Sequence, residues 1–210
     1  MKLPDKTIAI DAAISAIPDG ASIMIGGFGV PGTPFRLIDA LVRHGARNLT
    51  IIKNDANETG MGIDHLLQNG QVARLISTHI GLNPKAIERM NNGEIEVELC
   101  PQGILAERIR AGGAGLQGIL TDIALGTELG DGKQQVEIDG KHSIIEPALR
   151  ADFALVHADS ADPFGNLAYV STAQNFNPLI AMAADTVIAE TENLLTLGGL
   201  VANNIHTPGP

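Results

Sequence analysis

Apolar residues along the chain fall into short blocks and helix-spaced sets that alternate. Residues 21–25 (Ala21-Ser22-Ile23-Met24-Ile25) read as a short buried strand that opens into Gly26-Gly27-Phe28-Gly29. Residues 33–44 then place Phe35, Leu37, Ile38, Leu41 and Val42 at the spacing of a helix packed on one face, with Gly45 as its stop. The next strand, 49–52, ends at Lys53-Asn54-Asp55. A short helix over 63–68 closes at Asn69-Gly70, a third strand covers 72–78, and a helix over 85–90 ends at Asn91-Asn92-Gly93. Residues 95–99 alternate, with Ile95, Val97 and Leu99 on one side and Glu94, Glu96 and Glu98 on the other. A helix over 104–109 leads into the glycine-rich run 112–115. Residues 135–145 read as a hairpin turning at Asp139-Gly140. A strand over 153–157, a helix over 179–184 and a last strand over 186–189 complete the pattern.

Strands separated by helices predict an α/β fold: an open, mostly parallel (mixed) sheet with helices on both faces and an antiparallel hairpin addition. No repeat, linker or low-complexity tract interrupts it, so residues 1–210 read as one domain. In such sheets ligands bind beyond the carboxyl ends of the strands. Three ends are polar or glycine-rich: Gly26 to Gly32, Asn54-Asp55, and Pro101-Gln102-Gly103.

Composition removes several classes of function. With 44% apolar but only 3% aromatic residues, the core must be built from Ile, Leu, Val and Ala. One cysteine, Cys100, excludes an intrachain disulfide scaffold; it reads as a small packed residue rather than a nucleophile. No apolar run is long enough for a membrane span, and residues 1–6 lack the apolar core of a signal peptide. A cytoplasmic protein is expected. A net charge of −10 argues against an extended nucleic-acid surface. His44, His65, His79, His142, His157 and His206 show no metal-ligand spacing, so no metal site is expected. Glu107 with Arg108 and Arg110 reads as helix-surface ion pairing, and Glu58, Asp64 and Glu128 as solvated loop charges.

The glycine loop carries the most specific chemistry. Gly26, Gly27, Phe28, Gly29, Val30, Pro31 and Gly32 join a strand to a helix whose first turn suits Pro34. Free N–H groups beside a helix N-terminus favour an anion. No Lys-Ser or Lys-Thr follows, so it is not a Walker loop. Gly27-Phe28-Gly29-Val30-Pro31-Gly32 matches the dinucleotide spacing only as an isolated motif, and spacing alone leaves open a plain turn.

The run from Asp19-Gly20 through Ile23-Met24-Ile25-Gly26-Gly27-Phe28 to Gly32-Thr33-Pro34 resembles the signature of family I coenzyme A-transferases at every fixed position. Glu98-Leu99-Cys100-Pro101-Gln102-Gly103 with the helix after it is similar to the family's second hallmark. Asp162-Pro163-Phe164-Gly165-Asn166-Leu167, Asn175-Phe176-Asn177-Pro178 and His206-Thr207-Pro208-Gly209 extend the likeness along nearly the whole chain. The resemblance departs at Ile104, where the family has Thr, and at Ile123-Ala124, where it has Thr-Gly.

In that family a glutamate within a Glu-Asn-Gly segment of the β half attacks an acyl-CoA. An acyl-glutamyl anhydride forms, CoA returns to give a glutamyl-CoA thioester, and an acceptor carboxylate then takes the CoA. Residues 1–210 contain no Glu-Asn-Gly. The resemblance therefore implies an α subunit that works with a β subunit, as two α with two β, using CoA as substrate with no permanently bound cofactor. It assigns Asn54 and Gln102 as oxyanion donors, both offering an amide NH₂. Gly26 to Gly32 would contact CoA or the acyl group, with Phe28 as a wall. Residues 54–62 and 79–84 look most like the acetate/butyrate–acetoacetate type, ahead of the succinyl-CoA:3-oxoacid and 3-oxoadipate types. A non-catalytic ligand-sensing domain of the same fold is the alternative from another class. The acidity of this chain points to the partner for most basic contacts to CoA.

Overall fold

The computed structural model describes residues 5–209. The N-terminal run used above to argue against a signal peptide lies largely outside them, in residues 1–4. Among the described residues no helix is long and apolar enough to cross a membrane.

The main sheet is assembled from β1 (Ser22–Ile25), β2 (Leu49–Ile52), β3 (Val72–Ser77), β4 (Glu96–Leu99), β8 (Ala151–Ala161) and β10 (Ala184–Leu194). The order is β10-β8-β1-β2-β3-β4, and every neighbouring pair in it is parallel. Short β9 (Leu167–Ala168) adds an antiparallel pairing on β8. The hairpin forms as read, from β6 (Gln135–Ile138) and β7 (Lys141–Pro147). It does not join the main sheet, however: with β5 (Gly118–Thr121) it makes a separate antiparallel sheet ordered β5-β7-β6.

Period-two side-chain direction divides the core into two layers. Ile23, Ile25, Ile51, Leu75 and Leu155 face one side. They pack there against α1 (Ile10–Ile14), α2 (Phe35–His44), α3 (Asp64–Gln68) and α4 (Pro84–Asn91), which supply Ile14, Leu37, Ile38, Leu41, Leu66, Leu67 and Ala86. Met24, Ile52, Ile76, Ala154 and Val156 face the other side, against Ile104, Leu105 and Ile109 of α5 (Gln102–Gly113) and Ile180 of α6 (Asn177–Met182). Helices on both faces are thus forced by apolar residues on both faces of the strands. Local signals place the ends. Gly45 takes φ +80° and closes α2, while Asn83 accepts the Ala86 N–H at 2.9 Å ahead of Pro84 to start α4.

Connections from β1 through β2 and β3 to β4 run on one face, whereas β8 reaches β10 through α6 on the other. The direction of winding therefore reverses between β1 and β8, which opens a crevice at the carboxyl ends of the central strands.

Several local expectations are corrected. β8 and β10 each extend to eleven residues, because they pair with one another past their apolar runs, through Asp159, Ser160, Glu190 and Glu192. α6 begins at Asn177, earlier than read, with Pro178 in its first turn. Leu99 is 43% exposed because β4 is the edge strand, and Glu98 is clamped between Arg74 and Arg108. Arg108 is not a surface residue of α5. Its Nε donates to Pro147 O at 2.8 Å and its guanidinium meets Glu98 at 2.6 Å, so it joins the second sheet to the main one. Among the described residues Glu107 pairs only with Arg110. Asp64 is fully buried, accepting from Gly60 N at 2.7 Å, Gln68 Nε2 at 2.6 Å and Asn83 Nδ2 at 3.0 Å, so it ties α3 to the start of α4. Glu58 and Glu128 are exposed, as read.

Candidate active site at the carboxyl edge of the sheet

The loop after β1 is held on several sides. Gly26 N–H donates to Leu155 O of β8 at 2.9 Å. Asn177, fully buried at the start of α6, donates through Nδ2 to Gly32 O at 3.0 Å and Ala173 O at 2.9 Å, and its Oδ1 accepts the His157 N–H at 3.2 Å. A Cβ on Gly26 would stand 1.9 Å from Asn177 Oδ1, so that close approach requires glycine. Gly27 adopts φ +101°, and a Cβ there would meet Thr33 Oγ1 at 2.0 Å. Thr33 Oγ1 and Asn57 Nδ2 both donate to Gly29 O, at 2.7 and 2.9 Å, and Asn175 Nδ2 donates to Pro31 O at 2.9 Å. Phe28 and Val30, at the loop tip, remain exposed.

This geometry alters the anion-site reading of the loop. Phe28 N–H is spent on Pro31 O and Gly29 N–H on Asp55. At the N-terminus of α2 the Leu37 N–H already donates to Glu190 Oε2 at 2.9 Å, so a carboxylate of this chain holds that position. The other Glu190 oxygen meets His157 Nδ1 at 3.0 Å.

That Glu190 contact raises the His157 pKa above its ordinary value of 6.5, against the opposing effect of burial, with Glu192 and Asp159 adding to the rise. A raised folded-state pKa stabilises the fold below the unfolded value and stops doing so as pH climbs through the folded one. The melting-temperature advantage of the native chain over His157→Gln is therefore expected to be largest below the ordinary histidine value of 6.5 and to shrink as pH climbs above it. Melting curves on both sides of that value check it; an advantage that grows with pH would contradict the assignment.

The ends of β2 and β4 bring together the two sequence-predicted amides. Asn54, 1% exposed, follows β2, and Gln102, exposed, opens α5. Gln102 Nε2 donates to Asn54 Oδ1 at 2.7 Å, and Asn54 Nδ2 donates to Asp55 Oδ2 at 3.0 Å. Asp55 also accepts Gly29 N–H at 2.8 Å, Asn57 N–H at 2.9 Å and Lys53 Nζ at 3.2 Å. The Lys53 side chain is wholly buried. Burial pushes the Asp55 carboxyl up, but the Lys53 ammonium and the donors of Gly29, Asn54 and Asn57 outweigh it and hold the carboxyl below its usual value. Burial draws the Lys53 ammonium below its usual value, with Asp55 opposing.

A shallow hollow of about 140 Å³ lies beside this cluster, between Phe28, Val30, Met61, Ile80, His79 and Leu82. Asp55, Asn57 and Glu58 also line it, and among the described residues no Lys or Arg does. Cys100 is buried, and burial raises its thiol pKa, which keeps it a protonated packing group. Among the described residues no group of three or more His, Cys, Asp or Glu could hold a metal ion.

The sequence points to Asn54-Asp55, Gln102 and the glycine loop, but not to Lys53 and Asn57 as partners of Asp55 or to Asn177 as a buried support of the loop. A Lys directly after the apolar run 49–52 was the available signal, since such a position is buried unless the strand ends early.

The fold and this edge define an open α/β protein whose crevice gathers a rigid glycine loop and a pair of hydrogen-bonded amides. A family model for coenzyme A transferase matches residues 7–210. The chain is 47% identical over 204 residues to the acetate CoA-transferase subunit alpha of Escherichia coli K12, covering 97% of this chain and 93% of that one. It is 48% identical over 204 residues to the acetoacetyl-CoA:acetate/butyrate CoA transferase alpha subunit of Clostridium acetobutylicum, covering 97% and 94%. Its structure superposes on that of a variant of the decarboxylase AibA/AibB with a TM-score of 0.82 at 29% identity, over 96% of this chain and 78% of the other. The chain belongs to the coenzyme A transferase family, and within it to the α-subunit type of CoA-transferase enzymes.

Proposed function

We propose that this chain is the α half of a two-subunit enzyme that moves CoA between a short-chain acyl-CoA, acetyl or butyryl, and acetoacetate or a related carboxylate. It acts with a β subunit, as two α with two β, whose glutamate carries the CoA between half-reactions. CoA is a substrate, no cofactor is permanently bound, and the enzyme is cytoplasmic. The observation that carries the reading is the Gln102–Asn54 amide pair held at the carboxyl edge beside the glycine loop.

Each attack on an acyl carbon turns a carbonyl oxygen into an oxyanion, and amide N–H groups fixed in advance stabilise that charge without reorganising. Gln102 faces outward and keeps one Nε2 hydrogen beyond its bond to Asn54; Asn54 keeps a second Nδ2 hydrogen beyond its bond to Asp55. The glycine loop, tied to Asp55 by Gly29, presents Phe28 and Val30 as an apolar wall for the acyl group or the CoA tail. Binding of that tail away from the reacting carbon positions the thioester against the amides. The phosphates of CoA take their basic contacts chiefly from the partner, consistent with a net charge of −10 here.

The hollow favours an uncharged short acyl chain. A succinyl or 3-oxoadipyl group would bring a second carboxylate to a wall that holds Asp55 and Glu58 but no Lys or Arg. With the assembled enzyme and acetoacetate as acceptor or donor partner, kcat/KM for acetyl- or butyryl-CoA is expected to exceed that for succinyl-CoA by at least about tenfold, since an unpaired charge on an apolar wall costs about a kcal/mol or more. A preference for succinyl-CoA would move the chain to the dicarboxylate type.

A further inference from the structure

The buried Lys53–Asp55 pair takes no part in the chemistry described above, yet every donor it engages belongs to the site. The Lys53 ammonium has Asp55 as its only partner among the described residues. Asp55 Oδ1 takes Lys53 Nζ and Asn57 N–H, and Oδ2 takes Gly29 N–H and Asn54 Nδ2. All four are donors. An ionised carboxylate can only accept, so whatever meets it must present hydrogen.

That requirement propagates. A primary amide can present either its oxygen or its NH₂ to a neighbour, and in water the two arrangements differ little. Asn54 is 1% exposed and has no such freedom. With its oxygen turned to Asp55, two acceptors would face one another at 3.0 Å with no solvent to separate them. Asn54 must therefore direct Nδ2 to Asp55, which leaves Oδ1 toward α5. Gln102, 2.7 Å away, can meet that oxygen only through Nε2. Through Gly29 the same carboxylate sets the height of the glycine loop above the amides.

We propose that Asp55 is a positioning residue for the reaction: held by Lys53 and two backbone N–H groups, its carboxylate fixes the orientation of the Asn54 amide and, through it, that of Gln102. This rests on the oxyanion reading of the two amides. The polarity runs in one direction, from Gln102 through Asn54 to Asp55, with Lys53 closing the chain. In this role Asp55 acts on the reacting carbon through its neighbours.

A double-mutant cycle in the enzyme assembled with its partner tests this, using Asp55→Asn and Gln102→Ala singly and together. Asp55→Asn keeps the volume but turns one acceptor into a donor, so one of the pairings must break. It is expected to lower kcat by about 10²-fold, the scale of a small misplacement of reacting groups, while KM for the acyl-CoA stays close to native. In the Gln102→Ala background the same change should cost clearly less, because one of the two amides it orients is gone. Equal losses in both backgrounds, or an unchanged kcat for Asp55→Asn, would overturn the positioning role. If Gln102→Ala alone leaves kcat native, the oxyanion reading fails first and the positioning role with it. Gln102→Glu gives a second readout at an exposed position that does not depend on a buried substitution. With Asn54 held by Asp55, the new carboxylate faces Oδ1 and must swing away from it in a crystal structure. An Asn54 that turns over to donate Nδ2 to the new carboxylate would overturn the proposal.

Discussion

Gln102→Ala, assayed in the assembled enzyme, is expected to lower kcat about 10²–10³-fold with little change in KM, the loss seen when one oxyanion donor is removed. Gln102 is the better of the two amides for the test. It is exposed at the start of α5, and its side chain makes a single hydrogen bond within the described residues, to Asn54 Oδ1. Truncating it leaves the helix intact, since the Leu105 N–H donates to Pro101 O whatever occupies position 102. The fold should therefore melt close to the native temperature while the chemistry slows. Asn54→Ala should slow turnover on a similar scale for a less direct reason. It removes an amide that is 1% exposed, deprives Asp55 of a donor and leaves Gln102 without its acceptor. Its melting temperature is expected to fall as well, which separates the two variants. A native kcat in both would remove the amides from the mechanism and leave the glycine loop as the only assigned part of the site.

Much of this arrangement was legible in the sequence, because the features concerned are local. A glycine run between a strand and a helix, and polar residues directly after two strands, declare themselves within a few positions. The parallel sheet with helices on both faces follows from alternating apolar blocks, and the split between Ile23 and Met24 confirms that both faces are covered. What was not legible depends on partners distant in the chain. Arg108 reads as a surface residue until Glu98 and Pro147 are placed beside it. Asp64 reads as a loop charge until Asn83 arrives from the next connection. The lengths of β8 and β10 are set by their mutual pairing, which carries polar residues beyond the apolar run. Lys53 and Asp55 are adjacent to Asn54 in sequence, but only the burial of all three shows that they form one unit. The hairpin was read from its turn, whereas its membership of a second sheet required β5, a strand with too weak a pattern to be found alone.

The second large effect concerns the partner. Residues 1–210 hold the two amides proposed as oxyanion donors and a glycine loop but no Glu-Asn-Gly segment, and the only cysteine is buried with a raised thiol pKa. In the proposed reaction CoA passes through a covalent carrier: a carboxylate of the enzyme takes it as a thioester while the donor acyl group leaves as its free carboxylate, and the acceptor carboxylate then takes the CoA in turn. Nothing assigned to the site of this chain serves as that carrier. The buried carboxylate nearest the amides, Asp55, is engaged by four donors and spent on orientation. The chain alone should therefore show no transfer above background, and the partner alone should lack the amides and show none either. The direct measurement is acetoacetate-dependent CoA transfer from acetyl- or butyryl-CoA with each purified subunit alone and with the two mixed. Turnover is expected only in the mixture, together with a glutamyl-CoA thioester trapped on the partner chain. Full activity from this chain by itself, or a covalent intermediate located on it, would contradict the account.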